Sequence, residues 1–253
     1  MRTIVAVVLM ILSVPAPAQD YEREQRWADQ TLPTLLVGKA EWLQQKSGHK
    51  FLALYTEATP ARGAAIIAHG RGWGPDFELY GSLRTKLADS GYTTLSIQLP
   101  VLGGSGKLGD YIPLYPDARE RFQLAADFLK SRGYRNIAIV SHSLGATMAN
   151  QYLIVSDDRT VGAWVFIGII NGLEEMFRIR IPVLDVFGSR DWEIAILGAD
   201  ERSRQIMKVK GSEQVIVPDA QHFFEGKEDE LAAIVVNFLD RVFRQGNPAS
   251  AGR

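Results

Sequence analysis

The segment Ile137-Ala138-Ile139-Val140-Ser141-His142-Ser143-Leu144-Gly145 decides the reading of this chain. Its first four residues are β-branched or alanine and read as a short buried strand. The next five form a variant of the G-x-S-x-G strand–turn–helix element, and residues 144–155 read as the helix that follows. Such a turn lifts the hydroxyl of Ser143 to an exposed crest. It also brings the residues two before and two after into close contact, so both must be small. Gly145 meets that demand fully, whereas Ser141 adds a Cβ and a hydroxyl. Gly and Ser together number 37 of 253 residues, so a shuffled chain produces the pattern roughly one time in five. The flanking strand and helix carry the weight, and an inert serine in a tight turn stays open as an alternative until its partners are found.

Working outward, the pattern alternates between strand and helix. Residues 40–45 and 50–56 read as a hairpin about Ser47-Gly48-His49. Residues 64–68, 92–98, 161–167, 182–187 and 214–217 are further apolar strands. Leu79, Tyr80, Leu83 and Leu87 recur at helical spacing and end at Gly91. Asp117 and Glu120 have capping-box spacing for a helix whose buried stripe is Phe122, Ala125, Ala126 and Leu129. Residues 228–243 form a last amphipathic helix. Residues 100–116, rich in Gly, Ser and Pro, are expected to be mobile, and residues 20–31 to form a short surface helix. A hairpin followed by repeated β-then-α units predicts a mostly parallel central sheet, with an N-terminal antiparallel hairpin and helices on both faces. Near-continuous apolar strands fit burial on both sides.

Composition narrows the chemistry. There is no cysteine, which excludes disulfides, thiol nucleophiles and cysteine-held metals. With 28 Lys+Arg against 29 Asp+Glu, the balance argues against nucleic acid as a partner. No metal-spaced His/Glu cluster or phosphate loop is present, so neither metal nor cofactor is expected. Residues 1–18 combine Arg2, an eleven-residue apolar run from Ile4 to Val14, and Ala16-Pro17-Ala18. That is the pattern of a cleaved export signal, too short for a stable membrane anchor. A periplasmic or secreted protein is therefore expected, with no integral membrane anchor after cleavage. The expected organisation is a signal peptide over 1–18, an N-terminal extension over 19–39, one domain over 40–244 and a disordered tail over 245–253.

The partners of Ser143 occur in the order Ser, Asp, His. Asp191 follows the strand at 182–187, and His222 lies between the strand at 214–217 and the last helix. His222 would take the serine proton and Asp191 would orient its ring. Taken singly, Asp191 also reads as a helix cap and His222 as a packed loop histidine. Asp219 and Glu225 are weaker acids for this role, being too close in sequence to His222. His69-Gly70-Arg71-Gly72 follows a strand end, where a glycine-rich loop can offer backbone N–H groups to an oxyanion. The donors expected are the N–H groups of Leu144 and Arg71, with His69 and Gly70 supporting the loop. The Arg71 side chain reads either as facing solvent or as binding an anion. His142 is expected to point away from the nucleophile in a structural role, and His49 to be exposed.

These four elements together resemble the α/β-hydrolase superfamily over about residues 40–243. The stretches Ala65-Ile-Ile-Ala-His-Gly-Arg-Gly72, Tyr92-Thr-Thr-Leu-Ser-Ile-Gln-Leu-Pro100 and Ser141–Gly145 are similar to a family of bacterial exported α/β-hydrolase-like proteins of unassigned function. The resemblance implies the α/β-hydrolase fold and a serine-hydrolase mechanism, and no particular substrate; the leading expectation is hydrolysis of a small-molecule carboxylic ester, with thioester or peptide as variants. The chain departs from the superfamily pattern at Ser141, where glycine is usual. Caps of this fold follow the strand at 161–167, and residues 168–181 are too few for one, so no cap domain is expected and the site should be open. The alternative is a non-catalytic hydrolase-fold binding protein of the cell envelope.

Overall fold

The computed structural model describes residues 19–156, 160–170 and 172–245. The apolar runs form eight strands: β1 Lys39–Gln44, β2 Lys50–Thr56, β3 Gly63–Ala68, β4 Tyr92–Ile97, β5 Ile137–His142, β6 Val161–Ile167, β7 Val183–Gly188 and β8 Glu213–Val217. They lie in one sheet in the order β1-β2-β4-β3-β5-β6-β7-β8. β1 and β2 form the antiparallel hairpin, β2 runs antiparallel to β4, and every pairing from β4 to β8 is parallel.

The helices are α1 Tyr21–Thr31, α2 Leu79–Asp89, α3 Tyr115–Ser131, α4 Leu144–Leu153, α5 Glu193–Leu197, α6 Ala199–Ile206 and α7 Glu228–Gln245. Strand alternation divides the core into two layers. Ala64, Ile66 and Ala68 of β3 pack with Phe122 of α3 and Met148 of α4. Ala65 and Ile67 pack with Leu83 of α2 and Phe238 of α7. Both faces of the sheet are thus covered. Among the described residues between β6 and β7, a short 3-10 turn, Met176–Arg178, stands in place of a cap.

Several local expectations change. The helix expected at Asp117 begins at Tyr115 with Pro116 in its first turn, and no capping box forms there. Instead Asp117 accepts from Gln45 Nε2 at 3.3 Å, while Glu120 accepts from Gln45 Nε2 at 3.2 Å and from the Lys46 N–H at 2.7 Å. The two acids hold the hairpin turn rather than their own helix end. The loop expected to be mobile contains a 3-10 helix, Leu108–Leu114, whose Tyr111 and Leu114 are buried. Neither α5 nor α6 is visible in the sequence. Ile194 and Leu197 of α5 face solvent, so no buried stripe marks it, and α6 is anchored by a buried Arg202–Asp185 pair at 2.8 Å. The expected leader, 1–18, lies outside the described residues, and so does the expected tail, 245–253, except for Gln245, which is the last residue of α7.

Residues 19–39 pack onto the body. Asp20 caps α1 by accepting the Arg23 N–H at 2.8 Å. Arg23 reaches two loops, donating to the Leu102 carbonyl at 2.8 Å and to the Gly72 carbonyl at 3.0 Å. Glu24 is buried against the fully buried Arg121 at 3.1 Å, and also meets His49 Nε2 at 3.0 Å, so His49 is not the free surface residue expected. Breaking such a buried pair from one side typically costs 3–5 kcal/mol.

Candidate active site

β3 lies between β4 and β5, so the chain leaves it toward one side of the sheet and later returns on the other. Loops at the carboxyl ends of β3 and β5 therefore part and leave a crevice, the place where open α/β sheets bind ligands. His69-Gly70-Arg71-Gly72 and Ser143 both stand there. Ser143 has φ 54° and ψ −123°, an unfavourable region for a residue with a Cβ. It is pinned by its own N–H, which donates to the Ile167 carbonyl at 2.9 Å.

Gly145 is required at this turn, since a Cβ there would lie 2.3 Å from the His69 carbonyl oxygen. Position 141 is not tight in the same way. The Ser141 hydroxyl accepts from Trp164 Nε1 at 2.9 Å and donates to the Val165 carbonyl at 3.2 Å. Serine replaces glycine here because the neighbouring strand supplies partners for it.

The three expected residues converge. His222 Nε2 lies 3.1 Å from Ser143 Oγ, and His222 Nδ1 lies 2.6 Å from Asp191 Oδ1. All three are buried, at 4%, 2% and 6% exposure for Ser143, His222 and Asp191. The carboxylate keeps the ring proton on Nδ1, which leaves Nε2 as the acceptor facing the hydroxyl. Asp191 Oδ1 also accepts the Trp192 N–H at 2.7 Å. Asp219 does not approach the ring and pairs with Arg190 at 2.7 Å on the surface.

Gly168, just after β6, is a residue sequence reasoning passed over. Its φ is +52°, and a Cβ on it would lie 2.9 Å from Asp191 Oδ2 and 3.0 Å from His222 Nδ1. A glycine directly following a buried strand was the available signal.

The loop after β3 is held by neutral histidines. His69 Nδ1 donates to the Gly70 carbonyl at 2.7 Å, while its Nε2 accepts from the Leu99 N–H and from Gln98 Nε2, both at 2.9 Å. Burial lowers its pKa to about 4. The Gly70 N–H donates to the Tyr80 hydroxyl at 2.8 Å, and that hydroxyl donates to His142 Nδ1 at 2.9 Å. His142 Nε2 in turn donates to the His222 carbonyl at 2.9 Å.

Burial, with the nearby His222, lowers the His142 pKa to about 3. His142 thus does not turn away from the site. It lines the pocket and ties the β3 loop to the segment carrying His222, and Tyr80 completes that link. Because the Gly70 N–H is already used, the next backbone donor along the loop is that of Arg71. Leu144 opens α4, where helix N–H groups lack acceptors within the helix. The Arg71 side chain is exposed and donates to the Gly106 carbonyl at 3.2 Å, joining two loops.

A pocket of about 280 Å³ opens on Ser143 between Gly70, Trp73, Leu108, Trp192 and Phe223. Leu108 comes from the 100–116 loop, which therefore covers part of the mouth.

The alpha/beta hydrolase family model matches residues 65–228. A second model, a family of proteins of unknown function (DUF3530), matches residues 7–108. No curated protein matches the chain. Among solved structures, the chain is similar to the esterase Pf2001 of Pyrococcus furiosus, with TM-score 0.64 and 16% identity, covering 81% of this chain and 92% of that one. It is similar to Est1E from Butyrivibrio proteoclasticus, with TM-score 0.63 and 14% identity over 80% of this chain and 98% of that one. It is also similar to XC6422 from Xanthomonas campestris, described as an a/b serine hydrolase without lid, with TM-score 0.60 and 16% identity over 81% and 95%. At such identities these structures speak for the fold. With a family model spanning most of the sheet and all four loops of the crevice, the chain belongs to the alpha/beta hydrolase family.

Proposed function

We propose that this protein is a serine hydrolase acting on a small-molecule carboxylic ester through an acyl-enzyme. The observation that carries the reading is the chain of contacts Ser143 Oγ to His222 Nε2 at 3.1 Å and His222 Nδ1 to Asp191 Oδ1 at 2.6 Å. Ser143 Oγ attacks the ester carbonyl as its proton passes to His222 Nε2. Asp191 holds the ring and stabilises the imidazolium. The oxyanion that forms is met by the N–H groups of Leu144 and Arg71, and losing one such donor typically costs about 3–4 kcal/mol of transition-state stabilisation. His222 returns the proton to the leaving alcohol, and a water repeats the sequence on the acyl-enzyme. These steps call on no cofactor. The esterases among the similar folds favour an ester over other acyl compounds. The leader pattern at 1–18 supports action outside the cytoplasm, in the periplasm or the medium.

The test is labelling of the mature protein with a fluorophosphonate, followed by peptide mapping. The label is expected on Ser143, with burst kinetics on short p-nitrophenyl esters that Ser143→Ala abolishes. A label on another residue, or none, overturns the reading.

A further inference from the structure

We propose that Trp192 is a positioning residue that stabilises the protonated form of His222 by stacking its indole on the imidazole. The inference rests on the serine-hydrolase reading above. The two rings lie 3.7 Å apart between centroids and 16° from parallel. That is a face-to-face stack, whereas the other aromatic partners of His222 are tilted or edge-on, His142 at 4.6 Å and Phe223 at 5.3 Å. An indole face is electron-rich and attracts a cation placed over it, and tryptophan is the strongest aromatic in this respect. Neutral imidazole gains little from the same contact. The stack therefore favours the imidazolium, the form His222 takes when it has accepted the serine proton.

Trp192 is well placed to act only through its ring. Its backbone N–H already serves Asp191 Oδ1 at 2.7 Å, a contact that every side-chain replacement keeps. The residue is 48% exposed and forms one wall of the pocket, so truncating it removes little core. The groups facing His222 are otherwise few. Asp191 lies at Nδ1, Ser143 at Nε2, and neutral His142 beside the ring. Arg71 lines the same pocket, and the Arg190–Asp219 pair at 2.7 Å sits on the adjoining loops. All of these stay in place when the indole is removed, so a change in the behaviour of His222 is attributable to the stack.

The experiment compares the full-length mature enzyme with Trp192→Leu and Trp192→Phe. A cation–π contact at a half-exposed site is equivalent to roughly a two- to fivefold bias toward the imidazolium. For Trp192→Leu, kcat is expected to fall by that factor. The acid limb of the kcat/KM profile should also move about half a pH unit toward acid, because the base then holds its proton less firmly. Trp192→Phe should recover part of both changes. The imidazole of His222, followed by NMR titration in the same three proteins, should show the same displacement whether or not a substrate has been found. An acid limb and an NMR titration that do not move in Trp192→Leu overturn the proposal, even if KM rises, since a mere pocket wall would change KM alone. Failure of Ser143 to take the fluorophosphonate would instead defeat the hydrolase reading, and the NMR titration would still decide the stack.

Discussion

Replacing Gly168 by alanine separates backbone strain from damage to the site. At φ +52° an alanine pays a left-handed penalty of roughly 1–2 kcal/mol. Its Cβ would also stand 2.9 Å from Asp191 Oδ2 and 3.0 Å from His222 Nδ1. Ordinary contact lies near 3.5 Å, so the carboxylate and the ring must each retreat by about half an ångström. The His222–Ser143 contact is already 3.1 Å, and it lengthens as the ring moves. A misplacement of this size is expected to lower kcat/KM about ten- to a hundredfold. Gly133→Ala is the control, because its φ is +91° with no atom near the added Cβ. Urea unfolding should show a loss of stability in both variants, larger in Gly168→Ala because of the clash, and p-nitrophenyl acetate hydrolysis a loss in Gly168→Ala alone. If Gly168→Ala kept kcat/KM within twofold of the parent, the steric argument for this glycine would be wrong.

Three further outcomes are expected. Asp191→Asn should lower kcat by about four orders of magnitude, measured by steady-state ester hydrolysis, because an amide can hold the imidazole in the wrong tautomer. His142→Asn should flatten the acid side of the stability profile. The folded pKa of about 3 lies below the unfolded value near 6.5, so the unfolded chain binds the extra proton between them and stability is lost as pH drops through that window. Between pH 6 and 5 the parent should lose about 1 kcal/mol more than His142→Asn in urea unfolding at each pH, and equal losses would show that His142 is not held neutral. Ser141→Gly restores the usual glycine of the turn, yet it should destabilise by about 1–3 kcal/mol in the same assay, because the buried Trp164 Nε1 loses its acceptor.

The sheet was legible because its strands are apolar runs bounded by turn residues, and β6 falls on the residues read, 161–167. Ser143, Asp191 and His222 were legible because each follows a strand, and strand ends gather at one edge of a parallel sheet. What escaped is of another kind. Gly168, Trp192 and Tyr80 touch Asp191, His222 and His142 from 23 to 62 positions away, and their neighbourhoods in sequence do not name those partners. The capping box at Asp117 and Glu120 failed for the same reason, since the hairpin turn competed for those carboxylates and won. The geometry of the turn by itself points His142 away from the site, and the Tyr80 hydroxyl, remote in sequence, holds its ring inward.

Helix α1 has eleven residues, fewer than an isolated helix needs to hold together in water. Its order is borrowed from the body through Arg23, Glu24 and the Asp20 N–H, which donates to the Val101 carbonyl at 2.8 Å. Because Arg23 spans the carbonyls of Gly72 and Leu102, undocking of α1 releases both loops at one edge of the crevice together. The first turn of the described chain and the rim of the pocket are therefore expected to open together in native-state hydrogen exchange. Their amides should exchange with solvent at a shared rate, faster than those of β3 and β5 beneath them.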